Sequence, residues 1–305
     1  MTKISTASSN VTPSAPTRQL RSFSSLVRVD ISALTHTGHR RGNNEDQFFV
    51  AKATRALETL VTSLPPGDVP TREDELNYVM VVADGMGGHA AGEVASRLTI
   101  SALVTLALQI PDWIFRADAG HVPEIERRAR EAVQQVDSML VERGRQDPSL
   151  RGMGSTLTGA RSYGRDLLIV HAGDSRAYLL RAGHLQRLTR DHTYGQMMVD
   201  AGLLSPDQVA LSGVRHLLTN VLGGTIDQVE VDVDLLRLED GDRLLLCSDG
   251  LTDCVNDDTI GATLTGAGSS SEACERLVQL ALDGGGHDNV TVIVASFGFP
   301  ASAAE

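Results

Sequence analysis

The chain has 305 residues, 41% of them hydrophobic, enough to bury a core in one large domain or two modest ones. Its formal net charge of −12 argues against a broad nucleic-acid surface, because phosphate backbones are gripped by clustered Lys and Arg. The three cysteines, Cys247, Cys254 and Cys274, show no CxxC spacing, which argues against a disulfide framework and a zinc site and suits small buried hydrophobes in a reducing compartment.

Residues 1–27 are rich in Ser and Thr and poor in large apolar side chains, so they cannot offset their ordering entropy and read as a disordered tail. They hold no apolar segment of signal-peptide type, and the best membrane candidate, Thr99 to Ile110, is short and interrupted by Ser101, Thr105 and Gln109. A cytoplasmic protein with no membrane contact is expected.

Short apolar runs then alternate with turn signals. Phe48 to Val50, Tyr78 to Ala83, Leu167 to Ala172, Ala177 to Leu180, Arg243 to Cys247 and Val290 to Ala295 read as strands. Ala91 to Leu108 has a broad apolar helical face; a second helix opens at Pro123 and stops at Gly144; a third carries Cys274, Leu277, Val278 and Ala281 on one stripe. The polar, proline-containing residues 51–77 separate two strand candidates as an insertion, and residues 191–223 hold two short helical patches around Ser205 and Pro206. With no break in composition, residues 28–298 read as one domain, followed by a tail at 299–305.

Chemistry concentrates where apolar strands end. Asp84 directly follows the run ending at Ala83; Asp174 lies just past the run ending at Ala172; Asp249 follows Ser248; Asp288 precedes the run opening at Val290. A carboxylate at the edge of an apolar core costs several kcal/mol unless it is paired or binds a metal. One such Asp beside a Gly is readily a turn former; four together call for a shared cause. The stretch Gly38 to Asp46 adds adjacent acids Glu45 and Asp46 five residues or fewer from Arg41. Acids alone repel a phosphate dianion, whereas metals reverse the local field and a guanidinium offers bidentate donors to phosphate oxygens. No Walker loop, GxSxG elbow or HExxH pair competes.

In this order, Arg41 to Asp46 (RGNNED), Val82 to Gly88 (VADGMGG), Gly152 to Thr156 (GMGST), Gly173 to Arg176 (GDSR), Thr189 to His192 (TRDH), Ser248 to Gly250 (SDG) and Gly286 to Val290 (GHDNV) resemble the metal-dependent Ser/Thr protein phosphatases of type 2C, particularly bacterial members. The resemblance spans about residues 28–298. It implies an α+β fold, a four-layer α-β-β-α sandwich of two central antiparallel sheets flanked by helices. It further implies Mg2+ or Mn2+ as cofactor, with two core ions and a third, weaker one. Asp84 would bridge the core ions and Asp249 and Asp288 complete the first site, while the Gly85 carbonyl and Glu45 serve the second. Asp174 with Asp249 would recruit the third ion, Asp46 would bind the reacting water, and Arg41 would hold the substrate phosphate. Residues 191–223 correspond to the family's variable flap. Met86 stands where many eukaryotic members carry a His proposed as general acid, and His89 is the nearest substitute in sequence. The implied activity is hydrolysis of phosphoserine and phosphothreonine on proteins, opposing a bacterial Ser/Thr kinase, by a monomer whose partners are that kinase and its substrates. The competing reading is a catalytically weak pseudophosphatase that binds and senses a partner, against which the retained acids and Arg41 count.

Overall fold

The computed structural model describes residues 27–87, 91–109, 122–224 and 228–299. The tail expected at 1–27 and the one expected at 299–305 fall almost wholly outside these residues, and so does His89.

Two antiparallel sheets form the centre. One has five strands in the order β1 (Arg28–His36), β12 (Val290–Gly298), β11 (Arg243–Cys247), β7 (Arg176–Arg181) and β8 (His184–Arg187). The other has seven: β10 (Asp232–Arg237), β6 (Asp166–Ala172), β5 (Leu157–Tyr163), β3 (Arg72–Met86), β4 (Gly154–Ser155) and β9 (Leu222–Gly223), with β2 (Asp46–Glu58) paired to β3.

Strand alternation explains why these segments are apolar almost without interruption. Met80, Val82, Leu167, Ile169, Leu179, Leu244, Leu246, Ile293 and Ala295 point between the sheets. Their neighbours Val81, Ala83 and Ala172 face α1 (Ala91–Gln109) and α2 (Val122–Gln146). Tyr178, Leu245, Val292 and Val294 face α5 (Asp249–Thr252), α6 (Asp257–Gly266) and α7 (Ser270–Asp283) on the opposite side. Three apolar layers between four structural layers make the α-β-β-α sandwich, in which the central strands of each sheet are buried on both faces.

Three details differ from the sequence reading. Residues 51–77 are chiefly strand: all 13 residues of β2 pair with β3, from Asp46 opposite Asp84 to Glu58 opposite Arg72. Because β5 flanks β3 only from Asn77 to Val82, the hairpin continues beyond it as a two-stranded arm. Among the described side chains the arm has no buried face, so no hydrophobic run marked it; Leu57, Leu60 and Val61 are exposed. Second, α2 runs through Gly144 to Gln146, and the Leu150 carbonyl packs too closely on Gly144 for a side chain to fit easily. Third, Ala91–Leu108 does have the length and composition of a membrane span, yet it buries Ala91, Ala95, Ile100 and Ala102 in the core between α1, α2 and the seven-stranded sheet.

The expected short helices of 191–223 are α3 (Tyr194–Asp200), capped by Thr193, and α4 (Pro206–Ala210), opened by a capping box of Ser205 and Gln208.

Candidate metal centre

The acids converge because strand ends from both sheets meet. Asp46 and Asp84 are direct cross-strand partners on β2 and β3. Asp84 lies within its strand rather than after it, since β3 runs on to Met86 by pairing with β4. Its amide donates to Thr156 Oγ1 at 3.0 Å, and the Thr156 amide returns a bond to its carbonyl at 2.8 Å. Asp249 is the first residue of α5, immediately after β11 and Ser248. Asp174 sits in the β6–β7 loop and Asp288 two residues before β12. Ser248 joins the two sheets: its hydroxyl donates to Asp46 Oδ2 at 2.7 Å and accepts from the Thr291 amide at 2.9 Å.

A second group of oxygens collects around Gly92 in the first turn of α1. Asn289 is the clamp: its Oδ1 accepts the Glu45 amide at 2.7 Å, and its Nδ2 donates to the carbonyls of Thr37 and Asn43, each at 2.9 Å. The Glu45 carbonyl accepts from Ser96 Oγ at 2.6 Å and from the Gly85 amide at 3.2 Å. A Cβ on Gly92 would lie 2.7 Å from the Gly85 carbonyl oxygen and 2.9 Å from Glu45 Oε1. Both oxygens therefore border one small space that only a glycine leaves open.

The electrostatics are those of a cluster short of positive charge. Asp84 and Asp249 are pushed well above the usual carboxylate range, first by burial and then by the neighbouring acids. Burial, with Asp191 and Asp253 nearby, raises Asp174 to about 7. Asp46 is raised to about 6 by burial, partly offset by bonds from Ser248 and Thr291. Burial also raises Glu45, opposed by Arg41. Arg41 Nη2 donates to Asp288 Oδ2 at 2.6 Å from a half-exposed position at the rim. Asp46 Oδ1 and Asp249 Oδ1 are buried with no hydrogen-bond partner.

Buried acceptors without donors, mutual repulsion among Asp46, Asp84, Asp174, Asp249 and Asp288, and the glycine-lined space all fit hard divalent cations. An oxygen-rich donor set suits Mg2+ or Mn2+ better than zinc. Ligand atoms of Asp174, Asp249 and His216 lie within 4.8 Å of one another, which supplies the set for a further cation.

His216 and its partner Asp253 were absent from the sequence reading. The Asp253 carboxylate faces Arg215 Nη2 at 2.8 Å and His216 Nδ1 at 3.5 Å, and burial raises its pKa despite these two neighbours. Its spacing of four from Asp249, one helical turn, was a usable signal. His216 had none, because only the path of the flap brings it in. Ser248, Asn289 and Thr156 were also missed in their supporting roles, although all three lie inside quoted motifs. Met86 ends β3 with a thioether that carries no exchangeable proton.

A family profile described as Protein phosphatase 2C matches residues 70–281. The chain is 43% identical over 219 residues to the serine/threonine protein phosphatase PstP of Mycobacterium tuberculosis, covering 71% of this chain and 40% of that one. It thus spans less than half the length of that relative. It is 30% identical over 278 residues to protein phosphatase PhpP of Streptococcus pneumoniae, covering 88% of this chain and 97% of that one. Among solved structures, the catalytic domain of PstP in complex with two manganese ions superposes with a TM-score of 0.70 at 36% identity, covering 89% of this chain and 99% of that one.

Proposed function

The chain belongs to the protein phosphatase 2C family, and from that premise we propose that it hydrolyses phosphoserine and phosphothreonine on proteins with Mg2+ or Mn2+ held by its carboxylate cluster. The observation that carries the reading is the set of buried, unpartnered carboxylate oxygens on Asp46 and Asp249 beside Asp84, Asp174 and Asp288.

Asp84, Asp249 and Asp288 would hold one core ion, and Asp84, the Gly85 carbonyl and Glu45 the other. Asp174, Asp249 and His216 would hold a third. When bound, these ions neutralise the cluster and lower the pKa of an attacking water. Asp46 has one oxygen fixed by Ser248, which leaves Oδ1 to accept a hydrogen bond from that water and orient it. Arg41 is suited to phosphate recognition: its half-exposed fork can exchange the Asp288 carboxylate for two phosphate oxygens. Met86 cannot protonate the leaving alkoxide, so that proton comes from solvent or another group.

The finer reading is a cytoplasmic, monomeric enzyme that reverses a Ser/Thr kinase. Phosphoproteins as substrates follow from the names of the relatives. Purified protein stripped with EDTA should release no phosphate from a phosphothreonine peptide until Mn2+ is restored. Full release without added metal would overturn the reading, and no release with Mn2+ would favour the binding-module alternative. Phosphothreonine peptides accumulating equally in a deletion strain and an Asp84→Asn strain would assign the cellular role to catalysis; accumulation in the deletion alone would assign it to scaffolding.

A further inference from the structure

The flap closes on itself through a narrow neck. The Tyr194 amide donates to the Leu217 carbonyl at 2.8 Å, and the Thr219 amide to the His192 carbonyl at 2.9 Å. Thr193 and Leu218 pair as an isolated bridge between these contacts. Residues 193–219 thus form a loop whose two ends meet at His192.

One side chain at that junction touches three separate parts of the protein. His192 Nδ1 lies 3.1 Å from the Gly173 amide nitrogen and 2.8 Å from Asn220 Nδ2, while Nε2 lies 3.0 Å from Asp232 Oδ2 on β10. The orientation of Asn220 is fixed by Glu230, whose carbonyl accepts from Nδ2 at 2.7 Å and whose amide donates to Oδ1 at 2.9 Å. Both groups at Nδ1 are therefore donors, so Nδ1 must offer its lone pair and the ring proton sits on Nε2, aimed at Asp232.

On the other side of the ring is the loop that carries Asp174. Gly173 adopts φ +117°, and a Cβ there would lie 2.6 Å from Thr156 Cβ, so no side chain can anchor this turn. Its anchor is His192, which bonds both polar groups of the Gly173 backbone: the ring takes the amide, and the His192 amide donates to the Gly173 carbonyl at 2.7 Å. The His171 ring packs against His192 with centroids 4.8 Å apart and limits its tilt.

We infer that His192 is a positioning residue that locks the neck of the flap to the Asp174 loop, so that a displacement of the flap displaces the Asp174 carboxylate with it. Contact between a substrate and the flap then alters cation binding at Asp174, and cation binding there steadies the flap by the same factor. The inference deepens the phosphatase reading, but only its kinetic arm rests on that reading.

The two amide isosteres of histidine separate this role from general support. Asparagine places its oxygen where Nδ1 stands and can still accept from Gly173 and Asn220; glutamine reaches towards Asp232 and cannot. In the metal-free full chain, His192→Gln should speed amide exchange about tenfold at both 193–219 and 173–176, the loss expected for a part-buried hydrogen-bonded junction. Exchange in β11 and β12 should be unchanged, and His192→Asn should stay close to wild type. With Mn2+, the concentration giving half-maximal phosphate release should rise about tenfold in His192→Gln and much less in His192→Asn. If His192→Gln speeds exchange everywhere, Asn220→Ala, which removes the Nδ2 donor at the far end of the neck together with the two bonds to Glu230 and leaves the His192 ring in place, must raise exchange in both segments together. Faster exchange in the flap with residues 173–176 unmoved would overturn the inference, as would equal behaviour of the Asn and Gln variants. Coupled exchange in a protein that releases no phosphate would leave the inference standing and sink the enzymatic reading instead.

Discussion

Without divalent cations this protein should become less stable as pH rises through neutrality, the opposite of ordinary acid denaturation. Asp174 and Asp46 are 7% and 2% exposed, and their carboxyls are raised to about 7 and about 6. In the unfolded chain both titrate near about 3.9. From about pH 5 until pH passes the folded values of about 6 and about 7, these carboxyls hold protons that the unfolded chain has released, so each step up in pH favours unfolding. At about 1.4 kcal/mol per unit, Asp174 costs about 3 kcal/mol and Asp46 about 1 kcal/mol across that window. Asp84 and Asp249 act in the same direction. A loss of about 4 kcal/mol lowers the melting temperature of a domain this size by about 7 °C. Thermal melts in EDTA at intervals from about pH 5 to pH 8 read this directly, and excess Mn2+ should remove most of the slope while raising Tm at every pH above about 6. A melting temperature that is flat or rises with pH in EDTA, or one that Mn2+ leaves unmoved at pH 8, would refute the clustering argument.

Gly92→Ala should cut phosphate release by about 100-fold, because the methyl group enters the space between the Gly85 carbonyl and Glu45, and Mn2+ titration should show a lost site. Arg41→Ala should raise KM for a phosphothreonine peptide about tenfold or more, with a smaller effect on kcat, if the guanidinium chiefly binds the phosphate; steady-state kinetics check this. Arg176→Ala should destabilise the fold by about 1.5–3 kcal/mol in urea titration, since it removes the fork that Arg176 makes to the part-buried Asp191 at 2.6–3.2 Å while Arg187 Nη2 stays 2.7 Å from the same carboxylate. Arg176→Lys should recover only part of that loss, because an ammonium cannot reproduce the paired geometry.

The sandwich was readable because its central strands bury both faces and so appear as unbroken apolar runs, as in Val290 to Ala295. Strands with one open face were harder. β10 alternates exposed Asp232 and Asp234 with buried Val233, and β1 alternates from Arg28 onwards, so neither forms a run. The distal hairpin arm buries almost nothing and left only its prolines as a signal. At the centre, aspartates beside glycines were visible one by one, whereas their supports were not. Asn289 acts through three backbone groups from Thr37, Asn43 and Glu45, contacts that exist only once β1 and β12 are paired. His216 reaches Asp174 and Asp249 only because the flap folds back, and local sequence does not encode that return.

Calorimetric counting of Mn2+ bound per chain, paired with phosphate release on the same preparations of wild type and Asp84→Asn, tests the central claim most directly. Wild type should bind at least two ions and release phosphate from a phosphothreonine peptide; Asp84→Asn should lose the core ions and the release together while keeping its fold. Undiminished phosphate release by an Asp84→Asn protein, or wild-type turnover with no Mn2+ bound, would contradict it.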